Sequence, residues 1–131
     1  MEAEFLKMIQ AINGENIVQV HEFTSVLDRR ELPETVGLII EITGEIGTEA
    51  NLARQKAFEA LVSTNVEHQR AFDAGRLRLP TIRIVNPGTF KDYRRYRGEL
   101  LNTAVGQTKV PVVVTNPDVL VRLEERVAKE L

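Results

Sequence analysis

Phe5, Met8, Ile9 and Ile12 recur at spacings of three and four, which predicts an amphipathic helix over residues 2–12 ended at Asn13-Gly14. Ile17, Val18, Val20 and Phe23 predict a strand, and the run Val36-Gly37-Leu38-Ile39-Ile40-Glu41-Ile42 a second. The charged stretch from Asp28 to Pro33 joins them, and Pro33 cannot sit in a central strand, so the two strands are expected to pair as antiparallel neighbours. From Thr48 to Ala74 there is neither Gly nor Pro. One long helix is expected there, with Thr48 as N-cap and Gly75 as the stop.

The stripe of that helix is mixed: Phe58, Leu61 and Val62 lead at helical spacing to Asn65, His68 and Gln69, and then to Phe72. Three polar side chains on an apolar face read either as partly buried groups hydrogen-bonded to a neighbouring loop or as the border of a functional surface. Leu79 to Val85 predicts a third strand, with Ile82 and Ile84 on one face and Thr81, Arg83 and Val85 on the other. Asn86-Pro87-Gly88 turns the chain, and Thr89 followed by Asp92 resembles a capping box that starts a helix to about Arg97. Beyond a Gly98–Gly106 loop region, Val110 to Val114 predicts a fourth strand, placed at a sheet edge by Pro111. Asn116-Pro117 begins a last helix whose apolar face is Val119, Leu120, Leu123 and Val127. The expected order is α-β-β-α-β-α-β-α: an α+β fold with a mixed sheet of three or four strands packed with helices.

Length limits this to one domain, residues 1–131, too short for a nucleotide-binding domain plus a substrate domain. A hydrophobic content of 43% and a net charge of −2 are ordinary for a globular chain. The charge is unevenly spread, with 11 acids against 5 bases in residues 1–59 and 8 bases against 2 acids in residues 70–97. That basic middle is either a solvated face or a surface that meets an anion or an acidic domain. The alternation of bases and aromatics in Lys91-Asp92-Tyr93-Arg94-Arg95-Tyr96-Arg97 suits a nucleic-acid surface, but equally an amphipathic helix. The acidic balance of the whole chain disfavours nucleic acid. There is no cysteine, hence no disulfide and no thiolate nucleophile, and with only His21 and His68 no histidine-rich metal site is expected. No apolar run approaches the ~20 residues of a membrane span and the acidic Met1-Glu-Ala-Glu start is unlike a signal peptide, so a cytoplasmic location is the default expectation.

No phosphate-cradling loop, dinucleotide fingerprint or Gly-flanked nucleophile is present, so a self-contained catalytic machine is not expected. Lys109 in Gln107-Thr108-Lys109-Val110-Pro111 stands out because it follows Gly106 and precedes the expected edge strand. A lysine so placed either swings a compact positive charge into a neighbouring site or is an ordinary surface lysine.

Three segments carry a resemblance: Val20-His21-Glu22-Phe23-Thr24-Ser25, the run from Ile82 to Phe90, and Gln107-Thr108-Lys109-Val110-Pro111. In order and interval they resemble the C-terminal domain of the auxin-responsive acyl-acid amido synthetase family, over almost the whole chain. The strand-turn-helix signature with Gly88, Thr89 and Phe90 is its most specific part, and Asn65 falls where that family keeps an asparagine on its long helix. The resemblance implies a lid domain of an adenylate-forming ligase: a carboxylate attacks the α-phosphate of ATP, then an amine such as that of an amino acid displaces AMP to form an amide. It implies Lys109 as the catalytic cation, Gln107 and Gly106 as the loop presenting it, and Asn65, Gly88, Thr89, Phe90 and Pro111 as structural motif residues. ATP and Mg are implied for the assembled enzyme only. The implied partner is an N-terminal ATP-binding domain, in cis or as a separate chain, and a homo-oligomer stays open. Departures are His68 where the family commonly has tyrosine, and Phe72 and Val112 where it has arginine, which suggests a divergent relative with a different substrate. The other reading is a free-standing ligand- or protein-interaction module on the same fold, without adenylation.

Overall fold

The structure is a computed structural model that describes residues 2–101 and 117–131. Helix α1, Glu2–Ile12, is the amphipathic element its spacing predicts: Phe5, Met8, Ile9 and Ile12 are all buried. Strands β1, Gln19–Asp28, and β2, Thr35–Thr43, form the expected antiparallel pair, with a bulge at His21. β1 runs well past Phe23 because Thr24, Ser25 and Val26 are buried as well. β2 lies inside the sheet, which is why its apolar residues do not alternate with polar ones.

The region from Thr48 to Ala74 differs from the single helix expected. A 3₁₀ turn, Ala50–Leu52, leads into α2, Ala53–Thr64, and α3, Glu67–Asp73, follows after a break at Asn65. Thr48 caps neither helix. The residue before the 3₁₀ turn is Glu49, and the one before α2 is Leu52. The break has a local cause. The hydroxyls of Ser63 and Thr64 donate to the carbonyls of Ala60 and Leu61, and Asn65 adopts extended backbone, φ −161° and ψ 118°. The Asn65 side-chain oxygen then accepts the Glu67 N–H at 2.9 Å and starts α3. Gly75, at φ 75°, stands just beyond α3 as expected. Phe72 leaves the surface partway to meet Phe58, ring centroids 4.8 Å apart, and His68 Nε2 lies 3.7 Å from the Glu4 carboxylate.

Strand β3, Thr81–Val85, is buried at every position and pairs with β2 in parallel, so the connection between them crosses over through α2 and α3. Helix α4 spans Thr89–Leu101 and α5 spans Pro117–Glu124, with Pro117 at the first helical position as predicted. The expected strand 110–114 and the Asn116 cap lie outside the described residues. The last helix does not continue to Val127. Val127–Glu130 is instead strand β4, antiparallel to β3, completing a mixed four-stranded sheet of order β1-β2-β3-β4. Local preference of Ala-Lys-Glu for helix is overridden because β4 takes up the outer edge of a fully buried strand, and Asn86 and Leu131 extend that ladder through Arg126 O and Ile82 O.

Helices cover both faces of the sheet. On one, Leu38, Ile40, Ile82 and Ile84 pack beneath α1 and α2 with Ala53, Ala57 and Leu61. On the other, Val26, Ile39 and Val85 meet Phe90 and Tyr93 of α4 and Val119 and Leu123 of α5.

Candidate functional site

The Asn86-Pro87-Gly88-Thr89-Phe90 segment leaves β3 and enters α4. Gly88 takes φ 88°, a left-handed conformation that costs a side chain with a Cβ, so the turn asks for glycine. Thr89 is buried, and its hydroxyl donates to Asn86 O at 2.5 Å, tightening the turn. Phe90 is fully buried and anchors the start of α4 in the core. The capping box expected from Thr89 and Asp92 does not form, since the Asp92 carboxylate pairs with Arg126. The cap comes from a distant residue: Glu41, 7% exposed in the middle of the sheet, accepts the Phe90 N–H at 3.2 Å. A carboxylate at a helix N-terminus satisfies an unpaired donor and opposes the positive end of the helix dipole.

Glu41 stands directly opposite Glu22 across β1 and β2, a like-charge pairing that repels. Arg94, one turn into α4, answers it by donating to Glu22. The hydrogen bond to Glu22 raises the Arg94 pKa; burial opposes this, and the charges of Glu22 and Glu41 add to it. Part of the basic stretch 70–97 is thus paired within the chain: Arg70 with Glu67, Arg83 with Glu124 and Arg94 with Glu22, while Arg78 is held by backbone carbonyls.

Residues 102–116, which contain Gly106, Gln107, Lys109, Pro111 and Val112, lie outside the described residues. The elements on either side of them, α4 and α5, pack together on one face of the sheet through Phe90, Tyr93, Val119 and Leu123. Asn65, the remaining motif residue, is exposed and acts as the cap between α2 and α3.

A second polar centre lies at the other end of β3. Asp28, Arg30, Glu31, Arg54, Arg78, Thr81 and Glu130 line a cleft of about 200 Å³. Arg30 binds Asp28 through Nε and Nη2 and Glu130 through Nη1 and Nη2, at 2.7–3.2 Å. Asp28 also accepts the Thr81 hydroxyl at 2.6 Å and the Arg30 N–H at 3.1 Å. Burial alone would raise the Asp28 pKa, but the bonds from Arg30 and Thr81 outweigh it and hold the carboxyl well below the usual range. Arg30 likewise depresses Glu130 against the effect of burial. Sequence reasoning found Gly88, Thr89 and Phe90 of the first centre without Glu41, and it missed the second centre. Glu41 left a trace, as the one charge in an apolar strand. The Asp28–Arg30–Glu130 set left none, because Glu130 lies 100 residues along the chain from Arg30.

Among the described residues, no three His, Cys, Asp or Glu side chains converge as metal ligands. The GH3 family C-terminal domain model matches residues 3–118. The chain belongs to the GH3 family. Its fold is that of a solved GH3.15 acyl acid amido synthetase, with a TM-score of 0.82 and 21% identity over 97% of this chain and 24% of the other. The AtGH3.15 acyl acid amido synthetase in complex with 2,4-DB gives a TM-score of 0.78 at 21% identity over 98% of this chain and 24% of that one. This GH3 domain thus spans about a quarter of the length of the synthetases it matches. No curated protein matches its sequence.

Proposed function

We propose that this GH3 domain is the C-terminal lid of an ATP-dependent acyl-acid amido synthetase, working with an N-terminal ATP-binding domain in cis or as a separate chain. The observation that carries the reading is the family match over residues 3–118 of a chain whose fold accounts for 24% of a synthetase. In the first step an acyl carboxylate oxygen attacks the α-phosphorus of ATP and pyrophosphate leaves. In the second an amine attacks the acyl carbon, AMP leaves, and the amide forms with loss of a proton. The lid excludes water and brings Lys109, presented by Gly106 and Gln107, to the place where negative charge develops. Docking of α4 through Phe90 and of α5 through Val119 and Leu123 supports this reading, since it offers two firm supports for the segment between them. Mg and ATP are held by the N-terminal domain.

The test is carboxylate-dependent ATP–pyrophosphate exchange and amide formation by the chain alone and together with the large domain. Activity is expected only from the combination. Exchange by purified chain above a heat-killed control, or amide formation by the large domain that is equal with and without this chain, overturns the proposal.

A further inference from the structure

The cleft at the lower end of the sheet holds two arginines whose positions are fixed by backbone rather than by acids. Arg54, half-buried on α2, donates from Nε to Pro80 O at 2.8 Å and from Nη2 to Leu79 O at 3.1 Å. Arg78, on the strap before β3, donates from Nε to Pro33 O at 2.5 Å and from Nη2 to Glu31 O at 3.2 Å. The strap itself is tied down, because Thr35 donates its hydroxyl to Arg78 O at 2.7 Å. Among the described residues, Arg54 Nη1 has no acceptor, and Arg78 Nη1 has only the Glu31 carboxylate at 3.6 Å. Carbonyls hold a guanidinium in place without neutralising it, so both residues bring a full charge and an unused N–H edge to the cleft.

The carboxylates around the cleft do not compete equally for those edges. Asp28 and Glu130 are held by Arg30, and Asp28 by Thr81 as well. Glu31 is the loose member: its side chain is 78% exposed, and at 3.6 Å its contact with Arg78 is longer than a hydrogen bond. An exposed ion pair of that kind contributes little, and an incoming anion displaces it readily. A volume of about 200 Å³ is below the range of about 300–1,000 Å³ typical of sites for drug-sized ligands, so the occupant is a small group and not a whole nucleotide.

We infer that this cleft is a binding site for a small oxyanion, a phosphate or carboxylate group, taken by Arg54 and Arg78 with Glu31 as the side chain it displaces. The site is independent of the synthetase reading, since it lies at the opposite end of β3 from the turn that starts α4.

The experiment is an NMR titration of the whole chain with inorganic phosphate and with acetate, following the Arg54 and Arg78 Nε–H signals, with chloride at matched ionic strength as control. Saturable shifts at both arginines are expected for phosphate, acetate or both, with millimolar affinity, and none for chloride. Tighter phosphate binding assigns a phosphate group, and tighter acetate binding a carboxylate. Glu31→Gln removes the competing carboxylate and is expected to tighten binding about threefold or more, while Arg78→Gln weakens it roughly tenfold. If Arg78→Gln fails to fold, the Glu31→Gln titration decides alone, because Glu31 is exposed and its loss leaves the fold intact. No saturable shift with either oxyanion, shifts equal to those in chloride, or an unchanged affinity in Glu31→Gln overturns the site.

Discussion

Two residues carry the sharpest tests. Lys109 is the residue we propose for catalysis, and Arg95 on α4 is exposed and carries the same charge. In the complete synthetase, Lys109→Ala is expected to lower turnover ~10-fold or more while shifting stability by no more than about 0.5 kcal/mol, and Arg95→Ala to change neither. Equal losses in the two variants, measured as turnover beside urea unfolding, would remove Lys109 from the chemistry. Asp28 makes the second test. Its carboxyl is depressed in the folded chain, so the stability it contributes is fully present above the ordinary carboxylate value of about 4 and is lost as pH falls below that value. Glu130 acts in the same direction. Asp28→Asn is expected to lower stability at pH 7 by about 2–4 kcal/mol and to flatten the decline below pH ~4. Parallel acid curves for the two proteins would show that Asp28 does not drive the decline.

At the scale of elements, what was legible in the sequence was whatever declares itself locally. The spacing of Phe5 to Ile12, the apolar run of β2, the alternation of Ile82 and Ile84 against Thr81, Arg83 and Val85, and the Pro117 start all describe one element at a time. The α2–α3 break was hidden because Asn65 keeps helical spacing with its neighbours and only its hydrogen bond to Glu67 reveals a cap. β4 was hidden because four residues of modest strand preference are recruited by an edge that exists only after β3 is buried. At the candidate site, Gly88, Thr89 and Phe90 were found but the wrong partner was inferred, since the true cap reaches from another strand. That cap is testable. Glu41→Ala should cost about 1–2 kcal/mol in chemical denaturation, whereas Glu41→Gln, which keeps an acceptor for Phe90 N–H, should recover much of the loss. If Gln is as damaging as Ala, the charge opposing Arg94 matters more than the hydrogen bond.

For the molecule as a whole, matched apolar faces above and below the sheet supply the core. The isolated chain is expected to unfold in one cooperative transition whose midpoint is the same with and without a chelator, as read by calorimetry. A chelator-dependent midpoint would point to a structural ion. The place of β4 in the sheet bears on how the chain is made. Synthesis runs from N- to C-terminus, so β1, β2 and β3 leave the ribosome while the partner of β3's outer edge is still more than 40 residues from being made. Through that interval β3, destined for burial at every position, presents an unpaired edge to any strand it meets. The crossover helices, and then α4, are available to shield its faces, but among the described residues it is Val127 to Glu130 that close its edge. Ribosome-bound chains stalled before residue 127 are therefore the form of this protein most open to intermolecular pairing, and release of the last strand is the event that ends that exposure.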